Sequence, residues 1–161
     1  MKTAVVYYSL SGNTEVAAQT VARTLGADLI RLEPVTAYPS GGVKKFLWGG
    51  RSALMAELPA LQPYEFDAAS YDTVILCFPV WAGTVAPPLR TFIRDNRAGL
   101  QDKRIAAVAC SMGGSAEKLL AKLRLELAIP AFASTLSLID PKDKPAPSKI
   151  ERLRAFALAL K

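Results

Sequence analysis

A short segment rich in hydroxyl groups follows the first apolar run of the sequence. It reads Ser9-Leu10-Ser11-Gly12-Asn13-Thr14 and leads directly into a stretch with helical spacing. The first N–H groups of a helix have no partner within it, and with the helix dipole and hydroxyl oxygens they form an anion site. The segment lacks the glycine and lysine patterns of triphosphate-binding loops and of dinucleotide-binding folds. An anion site and a plain N-terminal turn both remain open at this point.

Two further segments have residue types that suit a flat ligand. Pro79-Val80-Trp81-Ala82-Gly83-Thr84 places an indole ring after an apolar run, and Ser111-Met112-Gly113-Gly114-Ser115 follows another such run with two glycines. Stacking on an aromatic ring adds about 0.5–1.5 kcal/mol beyond burial, and glycines let backbone amides approach a ring edge. The alternatives are that Trp81 closes the top of the core and that the glycine pair forms a mere turn.

The residue inventory excludes several kinds of catalytic and metal site. The sequence contains no histidine, which removes histidine-based triads, histidine zinc sites and imidazole acid–base catalysis. The first loop has no cysteine nucleophile, and carboxylates for a Mg²⁺ site are not expected at the strand ends. Cys77 and Cys110 each end an apolar run, as small buried residues do in a reducing compartment. We therefore predict no catalytic side chain, no metal ligand and no disulfide.

Five apolar runs alternate with helical patterns along 161 residues, which fits a single domain covering residues 1–161. The runs predict buried strands, and their alternation with helices predicts a parallel sheet covered on both faces. Ligands bind such sheets beyond the carboxyl ends of the strands, which is where the three segments lie. The predicted strands are Thr3–Tyr8, Asp28–Leu32, Thr73–Phe78, Arg104–Cys110 and Phe132–Ile139.

The helical patterns differ in clarity. Clear patterns cover Asn13–Leu25, a helix opened by Pro87 and Pro88, Ser115–Ala128, and a last helix with Ser148 and Glu151 as a capping box. Val43–Leu58 has a helical pattern that Gly49-Gly50 is expected to split. This segment, which includes Lys44, Lys45, Phe46 and Trp48, is interpreted either as a helix covering the core or as a flap or docking surface.

The sequence resembles the flavodoxin family in three places. Ser9, Ser11, Gly12, Asn13 and Thr14 match the hydroxyl-x-hydroxyl-Gly-Asn-Thr phosphate loop of that family, and Pro79, Trp81 and Gly83 match a branch whose second loop reads Pro-x-Trp-x-Gly. Ser111 to Ser115 is similar to the third flavin-contacting loop. The likeness runs over essentially the whole chain, without the insertion in the fifth strand that long-chain members carry.

The resemblance implies a three-layer, doubly wound fold with five parallel strands in the order 2-1-3-4-5. It also implies noncovalent FMN, with the phosphate held by amides and hydroxyls in a cradle without lysine or arginine. The cofactor-binding residues implied in this way are Ser9, Leu10, Ser11, Gly12, Asn13, Thr14, Pro79, Val80, Trp81, Ala82, Gly83, Ser111, Met112, Gly113 and Gly114.

The function implied by the resemblance is electron transfer, with the flavin cycling between redox states. The alternatives are an NAD(P)H-dependent quinone or flavin-type reductase that uses Trp48 and Trp81 as a platform, and a binding module without flavin. We predict an oxidoreductase-type flavoprotein that acts as an electron carrier more than as a stand-alone reductase.

The formal charge of +6 departs from the acidic electron carriers of the flavodoxin family. We therefore expect a less negative reduction potential and redox partners, a reductase donor and an acceptor, that include acidic proteins. The sequence has no basic stripe interleaved with aromatic residues, so it gives no indication of nucleic-acid binding. No apolar run approaches the ~20 residues of a membrane span, and no secretory signal is recognised. The expected state is a cytoplasmic monomer or weak dimer.

Overall fold

The computed structural model describes residues 1–161, except that the side chain of Phe46 lies outside the described residues. Strands and helices alternate along the described chain. The strands are β1 (Thr3–Tyr7), β2 (Asp28–Arg31), β3 (Thr73–Trp81), β4 (Thr84–Val85), β5 (Arg104–Ser111) and β6 (Ser134–Ile139). The helices are α1 (Asn13–Leu25), α2 (Gly42–Leu54), α3 (Pro87–Leu100), α4 (Glu117–Glu126) and α5 (Pro147–Leu158), with a short 3₁₀ turn at Ala68–Ser70.

The long strands form a parallel sheet in the order β2-β1-β3-β5-β6. These are the five predicted strands in the predicted order, and the three-layer flavodoxin-like fold is confirmed. Alternate residues of β1 enter opposite core layers, as the two-residue period of a strand requires. Val6 packs in the layer with Phe92 of α3, and Val5 packs in the layer with Val21 of α1 and Leu153 of α5.

The predicted loop after the third strand is partly a β-hairpin. β3 continues to Trp81, and Trp81 pairs with Thr84 of β4 in antiparallel register. Ala82 and Gly83 form the turn with φ of +49° and +72°, the pair of positive φ values that a type I′ hairpin turn needs. The prediction of a loop from Pro79 to Ala86 was therefore wrong for Pro79–Trp81 and Thr84–Val85, which are strands, because an alanine occupies a turn position that the sequence pattern does not mark.

Two helix predictions also need correction. The Gly49-Gly50 pair does not split the helical segment, since α2 runs without a break from Gly42 to Leu54. The predicted capping box at Ser148 is absent, because α5 begins at Pro147 and its N-cap is Ala146, two residues before Ser148, with no described side chain bonded to the cap. Proline suits the first helical position, where its missing N–H leaves no hydrogen bond unmade.

Candidate functional site

A cavity of about 430 Å³ opens at the carboxyl ends of β1, β3 and β5. A volume of this size falls within the range of small-molecule sites. All three predicted segments line it, contributing thirteen of the fifteen predicted residues: Ser9, Leu10, Ser11, Asn13, Thr14, Pro79, Val80, Trp81, Ala82, Gly83, Ser111, Met112 and Gly113. Gly12 and Gly114 do not line the cavity. The fold therefore brings the three segments to one place, as the strand-end argument predicts.

The first segment leaves the amino-terminal end of α1 open toward the cavity. Ser9 is buried, and its Oγ accepts a hydrogen bond of 3.1 Å from the N–H of Gly12. No described side chain caps α1, so the N–H groups of Asn13, Thr14 and Glu15 have no intrahelical acceptor. These N–H groups and the positive end of the helix dipole favour an anion.

The Asn13 side chain joins this segment to the turn between β6 and α5. Its Oδ1 accepts from the N–H of Lys142 at 2.8 Å and from the N–H of Asp143 at 3.1 Å. Its Nδ2 donates to Asp143 Oδ2 at 2.8 Å and to Ser11 Oγ at 3.3 Å. An asparagine amide has two donors and two acceptor positions, so the side chain is fully used, and Asn13 has only its backbone N–H to offer a ligand.

Lys142 adds a cation that the sequence did not predict for this loop. Its Nζ donates to the carbonyl of Ser11 at 2.7 Å. The stem lies so close to Gly12 that a Cβ there would be 2.9 Å from Lys142 Cδ, and Gly12 also has φ of +95°. Gly12 is therefore needed because its backbone is left-handed and because the Lys142 side chain packs against it. The sequence had suggested a different reason, namely that the backbone of this glycine approaches a ligand.

Two carboxylates from the same turn line the cavity, Asp140 and Asp143. The Asp140 carboxylate lies 3.3 Å from Lys144 Nζ, and the Asp143 carboxylate accepts from Asn13. With Lys142 at Ser11, two cations and two anions of one short turn lie beside the open helix end. The loop itself contains no lysine or arginine, but Lys142 reaches it from the turn after β6.

Trp81 lies in a cluster of aromatic rings at the second segment. The rings of Tyr8 and Tyr38 meet it edge-on, with centroids 5.6 Å and 5.1 Å away. Gly49 of α2 covers part of the indole, since a Cβ at Gly49 would lie 3.2 Å from Trp81 Cε3. Burial raises the pKa of Tyr8 and of Tyr38, so both rings stay neutral at physiological pH. The indole is held in place by these rings while still lining the cavity.

The third segment provides a buried hydroxyl with an unused hydrogen-bonding capacity. Ser111 ends β5 with only 9% of its surface exposed, and its Oγ has no hydrogen-bond partner among the described residues. Gly113 lines the cavity, and the side chain of Met112 is exposed. A buried polar atom without a partner is unfavourable, so the Ser111 hydroxyl is a hydrogen-bonding group beside the cavity that no described residue satisfies.

Cys110 lies beside Ser111 and also lines the cavity. Burial raises the pKa of its thiol to about 12; a side-chain hydrogen bond with Thr14 acts in the opposite direction, and the charge of Asp140 raises the pKa further. Burial also raises the pKa of the Cys77 thiol, and both cysteines are unpaired. Neither thiol is a nucleophile at neutral pH, since the thiolate is the reactive form.

The model of a protein family described as flavodoxin matches residues 2–137. The chain belongs to the flavodoxin family. No curated protein matches this flavodoxin in sequence.

Solved structures with the same fold include three of bacterial origin. A flavoprotein from Lactobacillus acidophilus in complex with FMN has a TM-score of 0.73 and 18% identity, covering 94% of this flavodoxin and 97% of that chain. A protein from Bacteroides eggerthii classed as a flavoprotein has a TM-score of 0.72 and 21% identity, covering 97% and 98%. The two-electron reduced flavodoxin of Megasphaera elsdenii has a TM-score of 0.61 and 18% identity, covering 97% and 98%.

Sequence reasoning did not predict several cavity residues of this flavodoxin. Asp140 and Asp143 come from the turn after β6, and Cys110 comes from the end of β5. Lys45, Gly49 and Gly50 line the cavity from α2; they belong to the segment that was interpreted either as a helix covering the core or as a flap or docking surface. Asp140 directly follows the fifth predicted strand, so the strand-end argument could have found it. Within the described residues, no helix combines the length and apolar character of a membrane span, and no cluster of potential ligands for a metal ion is present.

Proposed function

We propose that this flavodoxin binds FMN noncovalently and transfers electrons through it. The observation that carries the proposal is the cavity itself, which joins an open helix end, an indole and a buried hydroxyl without a partner. A phosphorylated ligand with a flat polar ring needs those three features. The FMN complex of the structurally similar Lactobacillus acidophilus flavoprotein supports the proposal.

The residues fit the two ends of this cofactor. The N–H groups of Asn13 and Thr14, together with the Ser9 and Ser11 segment, would hold the phosphate. Lys142 would add a positive charge from outside the cavity wall. Trp81 would stack on the ring, and the Ser111 hydroxyl would bond to a polar ring atom. Bound FMN would supply the redox chemistry, while the side chains described here position the cofactor and exclude water.

The positive charge of the protein bears on its redox behaviour. A formal charge of +6 favours anions over neutral species at the cofactor site. We therefore expect a less negative reduction potential than in acidic flavodoxins, and an acidic protein as a redox partner.

Cofactor titration tests the phosphate end of the site. The purified full chain is titrated with FMN and with riboflavin, and binding is followed by flavin fluorescence. We expect FMN to bind at least about ten-fold more tightly, since charge-assisted hydrogen bonds are worth about 1.5–3 kcal/mol. Lys142→Met should weaken the binding of FMN but not of riboflavin. Lys103→Met, just before the amino-terminal end of β5 and therefore at the other end of the strands from the cavity, should weaken neither. Equal affinities for FMN and riboflavin would contradict the phosphate site.

Reduction of the loaded protein tests electron transfer. NADPH alone should leave the visible flavin band unchanged, and NADPH with a catalytic amount of a flavodoxin reductase should bleach it. Rapid bleaching by NADPH alone would show that the protein is a stand-alone reductase and not an electron carrier. A protein that stays colourless after incubation with FMN would contradict both activities.

A further inference from the structure

Helix α2 exposes large apolar side chains and buries small residues. Gly49, Ser52 and Ala53 face the protein body, and Ser52 Oγ bonds to the Tyr38 hydroxyl at 2.9 Å. Five large apolar side chains of α2 and its C-terminal cap are 60–73% exposed, namely Val43, Leu47, Trp48, Leu54 and Met55. Surface helices of globular proteins have the reverse arrangement, with the apolar side toward the core. The outward side of α2 therefore has the composition of a surface that contacts something apolar.

Cations alternate with these apolar residues. Lys44, Trp48, Arg51 and Met55 follow one another at three- and four-residue spacing, which places them on one row of the helix. Lys44 and Arg51 are exposed, one turn before and one turn after Trp48. The segment 42–55 contains no aspartate or glutamate. The outward side of α2, defined here as Val43, Lys44, Leu47, Trp48, Arg51, Leu54 and Met55, is thus both apolar and cationic.

We propose that the outward side of α2 binds the surface of an anionic lipid bilayer. A helix that carries Trp and Leu beside Lys and Arg lies in the membrane interface, with the apolar side chains among the acyl chains and the cations at the headgroups. Each cation near an anionic surface adds to the affinity for it. The net charge of +6 attracts the whole molecule to the same surface.

The charges disfavour a second copy of the chain as the occupant. In a two-fold dimer through α2 the same patch occurs on both sides, so Lys44 and Arg51 of each copy would lie opposite a surface with the same cations. The acidic residue nearest in sequence after the helix, Glu57, accepts a hydrogen bond from Ser52 on the inward side. A fluid bilayer can also cover an exposed helix side without a complementary groove.

Binding through α2 would place the cavity beside the lipid. Lys45, Gly49 and Gly50 line the cavity from the inward side of the same helix, so one helix would form both the cavity wall and the membrane contact. The membrane contact does not depend on FMN, since no residue of the outward side of α2 lines the cavity. The membrane experiment and the cofactor titration can therefore fail separately.

Co-sedimentation with vesicles tests the proposal. The full chain, with and without added FMN, is mixed with vesicles of phosphatidylcholine alone or of phosphatidylcholine with phosphatidylglycerol. We expect binding to the anionic vesicles at about 0.1 M salt, little binding to the neutral ones, and release at about 1 M salt, where charges are screened within about 3 Å. Trp48 fluorescence should shift to shorter wavelength on binding, and Trp48→Phe should remove that shift.

Matched variants locate the contact. Lys44→Gln with Arg51→Gln should lower the partition coefficient by about ten-fold or more. The same charge change on α4, Lys118→Gln with Lys122→Gln, should lower it much less.

Leu47→Ser tests the apolar part of the contact. It should weaken binding to anionic vesicles by several-fold, whereas Leu125→Ser, at a similarly exposed leucine on α4, should not. All of these positions are exposed, and thermal unfolding confirms that the variants fold.

Three results would overturn the proposal. The first is absence of binding to anionic vesicles, which would leave a protein partner as the occupant of α2. The second is binding that the α2 and α4 variants weaken equally, which would indicate general electrostatic attraction. The third is a dimer in solution that Leu47→Ser dissociates, which would assign the patch to a second copy.

Discussion

Ser111→Ala removes the hydroxyl that lies buried at the cavity wall without a hydrogen-bond partner. Ser111 is 9% exposed, and its Oγ is unsatisfied among the described residues. Burying an unpaired hydroxyl costs about 1–3 kcal/mol. Removing the hydroxyl therefore stabilises the folded protein, and the small void that the oxygen leaves offsets part of this stabilisation. We expect the FMN-free protein to gain about 1 kcal/mol in unfolding free energy, or about 2–4 °C in Tm for a chain of this size.

The same substitution should weaken FMN binding. If the Ser111 hydroxyl bonds to the ring, its loss removes one hydrogen bond worth about 0.5–1.5 kcal/mol, which is about a 2- to 12-fold rise in Kd. Urea unfolding of the FMN-free protein and fluorescence titration with FMN measure the two effects. Their opposite signs distinguish a ligand-binding hydroxyl from a merely structural one.

Thr73 provides the control. Its Oγ1 is also buried without a partner among the described residues, but it lies at the amino-terminal end of β3, away from the cavity. Thr73→Val should therefore stabilise the protein in the same way and leave the Kd for FMN unchanged. Destabilisation of the FMN-free protein by more than about 0.5 kcal/mol in Ser111→Ala, or an unchanged FMN affinity, would refute the role assigned to this hydroxyl.

Three further predictions follow from the site. Asn13→Ala leaves two backbone N–H groups of the neighbouring turn unpaired, so the unfolding free energy in urea should fall by about 2–3 kcal/mol; a fall below about 0.5 kcal/mol would show that the turn is held by other contacts. Gly49→Ala places a methyl group 3.2 Å from the Trp81 ring and should destabilise by about 1–2 kcal/mol. Gly50→Ala, with no atom within 4 Å, should instead stabilise by about 0.5–1 kcal/mol, and thermal unfolding that ranks the two glycines equally would contradict this. The pKa of the Cys110 thiol rises from the ordinary value of 9.0 to about 12 on folding, so its contribution is complete below about pH 9 and is lost as the pH rises toward 12. The unfolding free energy should fall with a slope of at most about 1.4 kcal/mol per pH unit from this thiol, and Cys110→Ala should have a smaller slope if the assignment is correct.

The strands and α1 follow from local patterns in the sequence. β1 and β3 are nearly continuous apolar runs because parallel strands are covered on both faces. α1 was predicted with its observed bounds, since its apolar spacing ends at Gly26, which adopts φ of +64° after the last turn. The three loops could be placed at the cavity because strand direction fixes which ends of the strands meet.

The contacts around Asn13 could not be predicted in this way. Lys142 and Asp143 lie 129 and 130 residues away along the chain, and no local pattern encodes which distant turn meets a loop. Each of the three asparagine bonds to that turn depends on where β6 ends relative to β1. The charge balance at the phosphate end is therefore a property of the sheet order and not of the loop sequence.

α2 shows a different limit of sequence reasoning. Apolar periodicity indicates that a helix has one apolar side, and the usual inference is that this side packs on the core. In α2 the inward side instead consists of small residues, because the helix packs closely on the protein body there. Gly49 lies against Trp81, and Ser52 bonds to Tyr38. Large side chains are excluded from that contact, so they face outward regardless of their hydrophobicity. The inward side of α2 thus follows from contacts with the cavity wall that apolar periodicity does not encode, and only the structure shows them.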